Sequence, residues 1–141
     1  MFWKKKAAVS DAVAGGAEKE SDSKVCEELL VVDRALGLSY CMNMEDFYLE
    51  MCGEFCNQAT EYLPKLEEHY QAEDWEHYAI VAHALKGNSL NIGASAFSKY
   101  SLQHELAGKE GNAEFIKAEY EKYVETLKAL LEKLESMGQR S

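Results

Sequence analysis

The sequence predicts an all-α fold, an up-down four-helix bundle with an additional short N-terminal helix. The 141-residue chain has a single proline, and runs rich in valine, isoleucine and threonine are scarce. Such runs are typical of strands, whereas apolar side chains spaced three and four positions apart share one face of a helix. Apolar residues make up 47% of the chain and recur at this helical spacing, so there is enough apolar surface for one packed core.

The N-terminal end differs in composition from the rest of the chain. Residues 1–24 are rich in Ala, Gly, Ser, Glu and Lys and can bury little, so they are predicted to be a flexible tail or linker. Residues 25–141 are predicted to form the helical domain. A first short helix is expected from residue 25 to about residue 38, ending near Gly37, with residues 39–43 as a connection.

A long amphipathic helix is predicted next. Its apolar face is formed by Phe47, Tyr48, Met51, Cys52, Phe55, Ala59, Tyr62, Leu63, Leu66 and Tyr70. These positions recur at steps of three and four, as on one helix face. Pro64 falls inside this stretch, where it is expected to kink the helix or to start a new turn. The helix is expected to end near residues 71–72.

Capping residues delimit the third and fourth helices. Asp74 is a suitable N-cap for a helix that runs from Trp75 to about Asn91, and Gly93 marks its end. The fourth helix is expected from about residue 94 to residue 107, with Gly108 as its stop. Its apolar pattern is only moderately regular and consists of Phe97, Tyr100, Leu102 and Leu106.

The last helix carries the clearest apolar stripe. Asn112 can cap its start, and Gly138 is expected to end it. The stripe consists of Ile116, Tyr120, Tyr123, Leu127, Leu130, Leu134 and Met137. Short loops make sequential helices antiparallel, and stripes of this kind pack at about 20° in a bundle. Because the bundle core uses the strong stripes, a monomer is expected.

Charge and composition exclude several classes of protein. A formal net charge of −10 argues against a nucleic-acid or anionic-membrane surface. The N-terminal lysines are followed by small and polar residues rather than an apolar stretch, so no secretory signal is predicted. No window approaches the ~18 to 20 apolar residues of a membrane span. A cytoplasmic protein with reduced thiols is therefore expected.

His83 is predicted to stand on the exposed face of the third helix. At ~100° per residue, the residues opposite it are Tyr78, Val81, Leu85 and Ile92, which form a buried face. The outer face around it consists of Glu76, Ala79, Ile80, Lys86, Gly87 and Leu90. A glycine inside a helix costs ~1 kcal/mol relative to alanine. Close approach of another macromolecule to the imidazole would explain why Gly87 is there.

The residues near His83 suit phosphoryl transfer. A neutral imidazole is a good nucleophile towards phosphorus, and the ammonium of Lys86, one turn along, can stabilise negative charge on the transferring group. One ring nitrogen must attack while the other is held, so an acceptor is expected nearby. Gln103 and Glu105 on the following helix are the candidates, with Glu105 preferred for its charge.

The segment from His83 to Ala94 reads HALKGNSLNIGA. It resembles the signature of histidine-containing phosphotransfer (HPt) domains, H-x-L-K-G-x-S-x-x-x-G-A, with every defined position filled. The resemblance covers most of residues 25–137. It includes Asp74-Trp75, which resembles the usual start of this helix in the family. Residues 33–56 also resemble HPt domains that are attached to bacterial hybrid kinases.

The resemblance implies a phosphoryl carrier of a multistep phosphorelay. His83 would accept the group from an aspartate of a receiver domain and pass it to another receiver aspartate. Lys86 and Gly87 would line the docking surface together with Ala79, Ile80 and Leu90, whereas Ser89, Gly93 and Ala94 would be structural. Family members lack kinase activity of their own. This chain is expected to bind no cofactor, and Mg²⁺ is expected in the acidic pocket of the partner receiver domain. The chain would be either free-standing or a module of a hybrid histidine kinase.

Two other functions remain open. A phosphorylation-independent interaction bundle could use the same face, and Cys52 and Cys56, four positions apart, could bind zinc together with a histidine. Core packing is the favoured interpretation of these cysteines, so no metal site is predicted. The other histidines, His69, His77 and His104, are interpreted as surface or boundary residues. An ATP-using enzyme is not expected, because there is no Walker-type loop or dinucleotide fingerprint.

Overall fold

The computed structural model describes residues 26–139, and the predicted tail over residues 1–24 lies outside this range. A short 3₁₀ turn at Glu27–Leu30 is followed by five α-helices. They are α1 (Arg34–Tyr40), α2 (Glu45–Gln71), α3 (Trp75–Asn91), α4 (Ser95–Glu110) and α5 (Ala113–Gln139). No strand occurs within the described residues.

Helices α2 to α5 form the bundle. α3 packs most closely against α4, α2 contacts both α3 and α5, and α5 contacts α4, so the four helices close into a ring around one core. The connections between them are only two or three residues long, which makes sequential helices antiparallel. α1 lies across α2 and α3. The predicted all-α four-helix bundle with a short N-terminal helix is confirmed.

The core is formed by the predicted stripes, except for Leu102 and Leu106 of α4, which are exposed. Its largest fully buried side chains include Tyr48, Phe55, Leu66, Tyr78, Leu85, Phe97, Ile116, Tyr123, Leu127 and Leu130. Each helix also carries polar residues on its outer face, but α3 and α4 expose several large apolar side chains beside them. Within residues 26–139, no helix combines the length and the apolar character needed to cross a bilayer.

The N-terminal helix is shorter than predicted. A continuous helix over residues 25–38 was expected, but residues 31–33 are not helical and α1 begins only at Arg34. The Asp33 amide donates to the carbonyl of Gly93, 2.9 Å away, which holds this segment against the turn between α3 and α4. The Asp33 side chain then caps α1 by accepting from the Leu36 amide at 3.1 Å. A tertiary contact therefore interrupts the helix.

The fourth helix is longer than predicted. Gly108 was expected to end it, but α4 continues to Glu110 and ends at Gly111, which has a left-handed φ of 70°. Gly108 instead permits close packing of α4 on α3, because a Cβ there would lie 2.8 Å from the Trp75 carbonyl oxygen. Similarly, α5 reaches Gln139 rather than ending at Gly138, and α2 runs through Pro64 without a break.

Candidate functional site

His83 projects from the middle of α3 into solvent. Its side chain is 64% exposed. The residues predicted to form the opposite face of this helix, Tyr78, Val81, Leu85 and Ile92, are all buried in the core. The third helix begins at Trp75 and ends at Asn91, as predicted, and Asp74 caps it by accepting from the His77 amide. The position of the histidine therefore follows from the apolar face of its own helix.

The Glu105 carboxylate on α4 orients the imidazole. Nδ1 of His83 lies 2.9 Å from Oε2 of Glu105, whose side chain is only 3% exposed. Burial by itself would raise the pKa of Glu105, but its contacts with Lys109, Lys86 and His83 outweigh burial and lower the pKa to about 2. An ionised carboxylate can only accept, so Nδ1 of a neutral ring must carry the proton. The exposed Nε2 then keeps its lone pair. Gln103 is exposed and is not the residue that contacts the ring.

Two lysines flank this carboxylate. Nζ of Lys86 lies 2.9 Å from Oε1 of Glu105, and Nζ of Lys109 lies 2.9 Å from Oε2. Lys86 was predicted as a site residue from α3 alone, but Lys109 was not. The signal for Lys109 was its spacing, four residues after Glu105 on one helix, which is the favourable order for a glutamate and a lysine.

A shallow groove of about 570 Å³ runs beside the imidazole. The residues that line it include His83, Glu105, Lys109, Ile80, Ala79 and Gly108. Ile80 is exposed at its edge, but Ala79 is only 3% exposed and packs under Gly108. The prediction of Ala79 as an exposed docking residue is therefore wrong, because α4 approaches α3 closely at this point and covers it.

Two leucines of α4 extend the apolar surface of the site. Leu102 and Leu106 were assigned to the apolar pattern of α4, yet both are exposed. Around the helix they lie ~60° and ~100° from Glu105, on the same side as Lys109. Together with the exposed Ile80 and Leu90 of α3 they form what we call the apolar rim (Ile80, Leu90, Leu102 and Leu106). The irregular stripe of α4 was the signal that some of its apolar residues are not core.

Comparisons with known proteins agree with this geometry. The family model of the Hpt domain matches residues 50–137. The chain belongs to the Hpt domain family. The structure is similar to a crystal structure of histidine-containing phosphotransfer protein B from Pseudomonas aeruginosa PAO1, with a TM-score of 0.69 and 25% sequence identity over 78% of this chain and 96% of that chain. Among curated proteins, no sequence relative matches the chain. The chain is thus a histidine phosphotransfer protein of phosphorelay signalling, and Hpt proteins carry phosphoryl groups and work with receiver domains.

Within residues 26–139, the Gly87 position of this Hpt domain has no packing role. The residue is exposed, and a Cβ built there would meet nothing within 4 Å. Gly93 and Gly108 differ, because a Cβ at either would collide with backbone atoms. The contacts within residues 26–139 therefore offer no reason for a glycine one turn after His83.

The remaining signature residues of the Hpt domain lie at the end of α3. Ser89 is fully buried, and its hydroxyl donates to the Lys86 carbonyl, 3.1 Å away. The Ser98 hydroxyl on α4 donates to the same carbonyl at 2.8 Å, which ties the two helices together beside the site. Gly93 has a φ of 89°, and Ala94 is buried at the start of α4. Ser89 and Ala94 are therefore buried where α3 meets α4, whereas Gly93 leaves room for the backbone of Asp33 before α1.

His104 differs from its prediction as a surface or boundary residue. It is fully buried, its Nδ1 lies 2.8 Å from the Tyr78 hydroxyl, and its ring stacks on Tyr123 with centroids 3.9 Å apart. Burial, together with Lys122, lowers the pKa of His104 to about 3, so the ring is neutral at pH 7. His77 is exposed and pairs with Asp74, whereas His69 is half-buried.

The cysteines considered as metal ligands lie against the core. Cys52 is buried and Cys56 is half-buried. Burial raises the pKa of both thiols, that of Cys56 to about 11, which disfavours the thiolate form that a metal would need. Within the described part of the chain, no three His, Cys, Asp or Glu side chains come together in a way that could hold a metal ion.

Glu105→Gln is expected to remove a pH-dependent part of the stability of this Hpt domain. The pKa of Glu105 falls from an ordinary value of 4.5 to about 2 on folding, so its carboxylate stabilises the fold above pH 4.5 and loses this effect as the pH falls towards 2. The free energy of unfolding of the parent should therefore exceed that of Glu105→Gln, and this difference should be larger at pH 6 than at pH 2 by on the order of 3 kcal/mol. Urea unfolding followed by circular dichroism would measure this difference. Glu110→Gln, exposed on the same helix, is the control. An unchanged difference across this range would contradict the ion-pair assignment.

Proposed function

We propose that His83 accepts a phosphoryl group from an aspartate of one receiver domain and passes it to an aspartate of another. The observation that carries this proposal is that Nδ1 is bound to an ionised carboxylate while most of the ring is in solvent. A nucleophilic imidazole needs both features, because one nitrogen has to be held while the other is accessible.

The transfer step follows from the tautomer. The Nε2 lone pair attacks phosphorus, the bond between phosphorus and the aspartyl oxygen breaks, and its electron pair leaves with the aspartate carboxylate. The proton stays on Nδ1, so the product is an N-phosphorylated imidazolium whose N–H still donates to Glu105. Transfer to the second receiver is the reverse step, in which its aspartate oxygen attacks and the electron pair of the N–P bond returns to the ring.

Charged groups of the site support this step on both sides of the ring. Positive charge develops on the imidazole, where the Glu105 carboxylate lies 2.9 Å from Nδ1. Negative charge arrives with the phosphoryl group, and Lys86 is the cation one turn further along α3. Such preorganised charges favour the transition state because they need little rearrangement as charge develops.

The receiver is proposed to dock on the apolar rim and on the bare backbone at Gly87. The exposed side chains of Ile80 and Leu90 lie on the same helix as His83, and the absence of a side chain at Gly87 leaves room for an incoming domain. Mg²⁺ is proposed to lie in the acidic pocket of the receiver, where it would neutralise phosphoryl charge. This chain itself is proposed to need no cofactor.

The chain is proposed to act as a carrier without kinase activity of its own. The support is the sequence, which contains neither a Walker-type loop nor a dinucleotide fingerprint. A monomer is proposed, because the strong apolar stripes are used within the bundle. A cytoplasmic location is proposed from the membership of the chain in the Hpt domain family. The same bundle would serve equally as a free-standing protein or as a module of a hybrid histidine kinase.

The direct test is incubation of the protein with a receiver domain phosphorylated on its aspartate. Uptake of an acid-labile, alkali-stable label is expected, because phosphoryl on histidine nitrogen has these stabilities and an acyl phosphate is lost in alkali. A protein that binds receivers yet takes up no label would contradict the proposal and favour an interaction bundle.

Gly87 allows docking and stability to be separated. Gly87→Ala is expected to stabilise the fold by up to ~1 kcal/mol, because alanine is the better helix former and its Cβ would meet nothing within 4 Å among the described residues. Gly87→Glu should slow phosphoryl transfer by obstructing the receiver, with helical content nearly unchanged. Thermal unfolding and transfer rates would be measured on the same samples. A transfer rate for Gly87→Glu equal to that of the parent would remove the docking role.

A further inference from the structure

We propose that Lys109 is a second cation for the transferred phosphoryl group, paired with Glu105 at rest and with the phosphoryl oxygens after transfer. The inference rests on the proposed function of His83. The signature around His83 includes only Lys86, so nothing in it assigns Lys109 to the site.

The first observation is a shared oxygen. Oε2 of Glu105 lies 2.9 Å from Nδ1 of His83 and also 2.9 Å from Nζ of Lys109. The ammonium is therefore within two hydrogen-bond lengths of the ring. Lys86 contacts the other carboxylate oxygen, so the two lysines flank Glu105 on different oxygens.

The second observation is the side on which Lys109 lies. Lys109 and His83 both line the shallow groove, whereas Lys86 does not. The Lys109 side chain is 61% exposed, against 29% for that of Lys86. Since a lysine side chain is long and flexible, Nζ can turn from Glu105 towards a group on Nε2 with a change of rotamer.

The charges of the site favour this exchange. With a neutral ring, Glu105 and its two lysines carry one net positive charge. The phosphoryl group brings about two negative charges and the ring gains one positive charge, so the phosphorylated site is nearly neutral with both lysines. Without Lys109 it would carry about one uncompensated negative charge.

Phosphorylation also changes the competition between the ring and Lys109 for Oε2 of Glu105. Once the ring is an imidazolium, its N–H binds Oε2 more strongly, because a hydrogen bond between ionised partners is stronger than one with a neutral donor. Lys109 is then freed from this oxygen as the phosphoryl group becomes available. We therefore infer that phosphorylation transfers Lys109 from Glu105 to the phosphoryl group.

The test compares Lys109→Gln and Lys109→Arg with the parent in phosphoryl exchange with a receiver. The control variant is Lys128→Gln, which removes an exposed lysine from an ion pair on α5. The readout is the equilibrium ratio of phospho-His83 to phosphorylated receiver, measured with limiting total phosphoryl and free proteins. This ratio does not depend on docking affinity, because docking changes forward and reverse rates equally.

For Lys109→Gln the equilibrium ratio is expected to fall about fivefold. The substitution removes the pair with Glu105 from the resting state as well, so the ratio reports only the attraction of Lys109 for the one net negative charge that phosphorylation adds, which is worth about one exposed charge pair. Lys109→Arg should restore most of it, and Lys128→Gln should match the parent. The loss should shrink at high ionic strength, because salt screens exposed charges.

An equilibrium ratio for Lys109→Gln equal to that of the parent would overturn the inference alone. If the ratio were unchanged and exchange were slower, Lys109 would act in receiver docking only. A parent protein that takes up no label would instead contradict the function of His83, and the inference would fall with it.

Discussion

His83→Gln is expected to abolish uptake of phosphoryl from a receiver. The amide nitrogen of glutamine has its lone pair delocalised into the carbonyl, so it cannot attack phosphorus, while the side chain remains polar on an exposed helix face. Helical content and thermal stability should stay close to those of the parent, because the replaced ring is 64% exposed. Autoradiography of acid-labile label, with circular dichroism on the same sample, would measure both properties.

The matched control for this change is His77→Gln. His77 lies on the same helix and is 58% exposed, but its Nδ1 pairs with Asp74 rather than with a buried carboxylate flanked by lysines. The control should take up label at the parental rate. If His83→Gln were labelled as well as the parent, or if His77→Gln lost its label, the phosphoacceptor would be another residue.

Gly93→Ala is expected to lower the free energy of unfolding of this domain more than the other single substitutions proposed for it. Gly93 has a φ of 89°, and a Cβ at this position would collide with the Asp33 carbonyl oxygen. This neighbour is backbone and cannot rotate away. The Asp33 amide is also bonded to the Gly93 carbonyl, so relief of the collision would break the contact that anchors α1. A loss of at least about 3 kcal/mol is expected, as for other substitutions that combine a clash with backbone strain.

The control for Gly93 is another left-handed glycine. Gly111 has a φ of 70°, but a Cβ there would meet no atom of the described part of the chain within 4 Å. Gly111→Ala should therefore lose only the cost of the left-handed conformation, about 1 kcal/mol. Urea unfolding of the two variants would separate the collision from the strain. Equal losses for the two would show that the contact between Gly93 and Asp33 is not rigid.

The helices could be predicted because their signals are local. The α3 boundaries followed from a capping aspartate and a terminal glycine, and the α5 stripe followed from its spacing; the structure has both. The errors have a common origin in contacts between helices. A glycine such as Gly108 is typical of a helix end, but this one allows the close approach of α4 to α3. Helix α1 begins later than predicted because the Asp33 amide is bonded to the Gly93 carbonyl.

The exposed and buried positions of α4 also could not be predicted from local signals. A leucine and a histidine on one helix carry no local sign of which will face the core. Leu102 is exposed whereas His104 is buried among aromatic rings, where it accepts or donates a single hydrogen bond with Tyr78. Only the position of α5 against α4 decides this, because the aromatic surface that covers His104 includes Tyr123 of α5.

The exposure of His83 was determined by the sequence alone, because the apolar residues of α3 fix which way that one helix faces. The groups that surround the imidazole were decided only by tertiary structure. Spacing along α4 placed Lys109 beside Glu105 but could not choose between Gln103 and Glu105, since that choice depends on how α4 is rotated against α3. Small residues such as Gly108 and Ala79 set that contact, and through it the carboxylate that holds the ring.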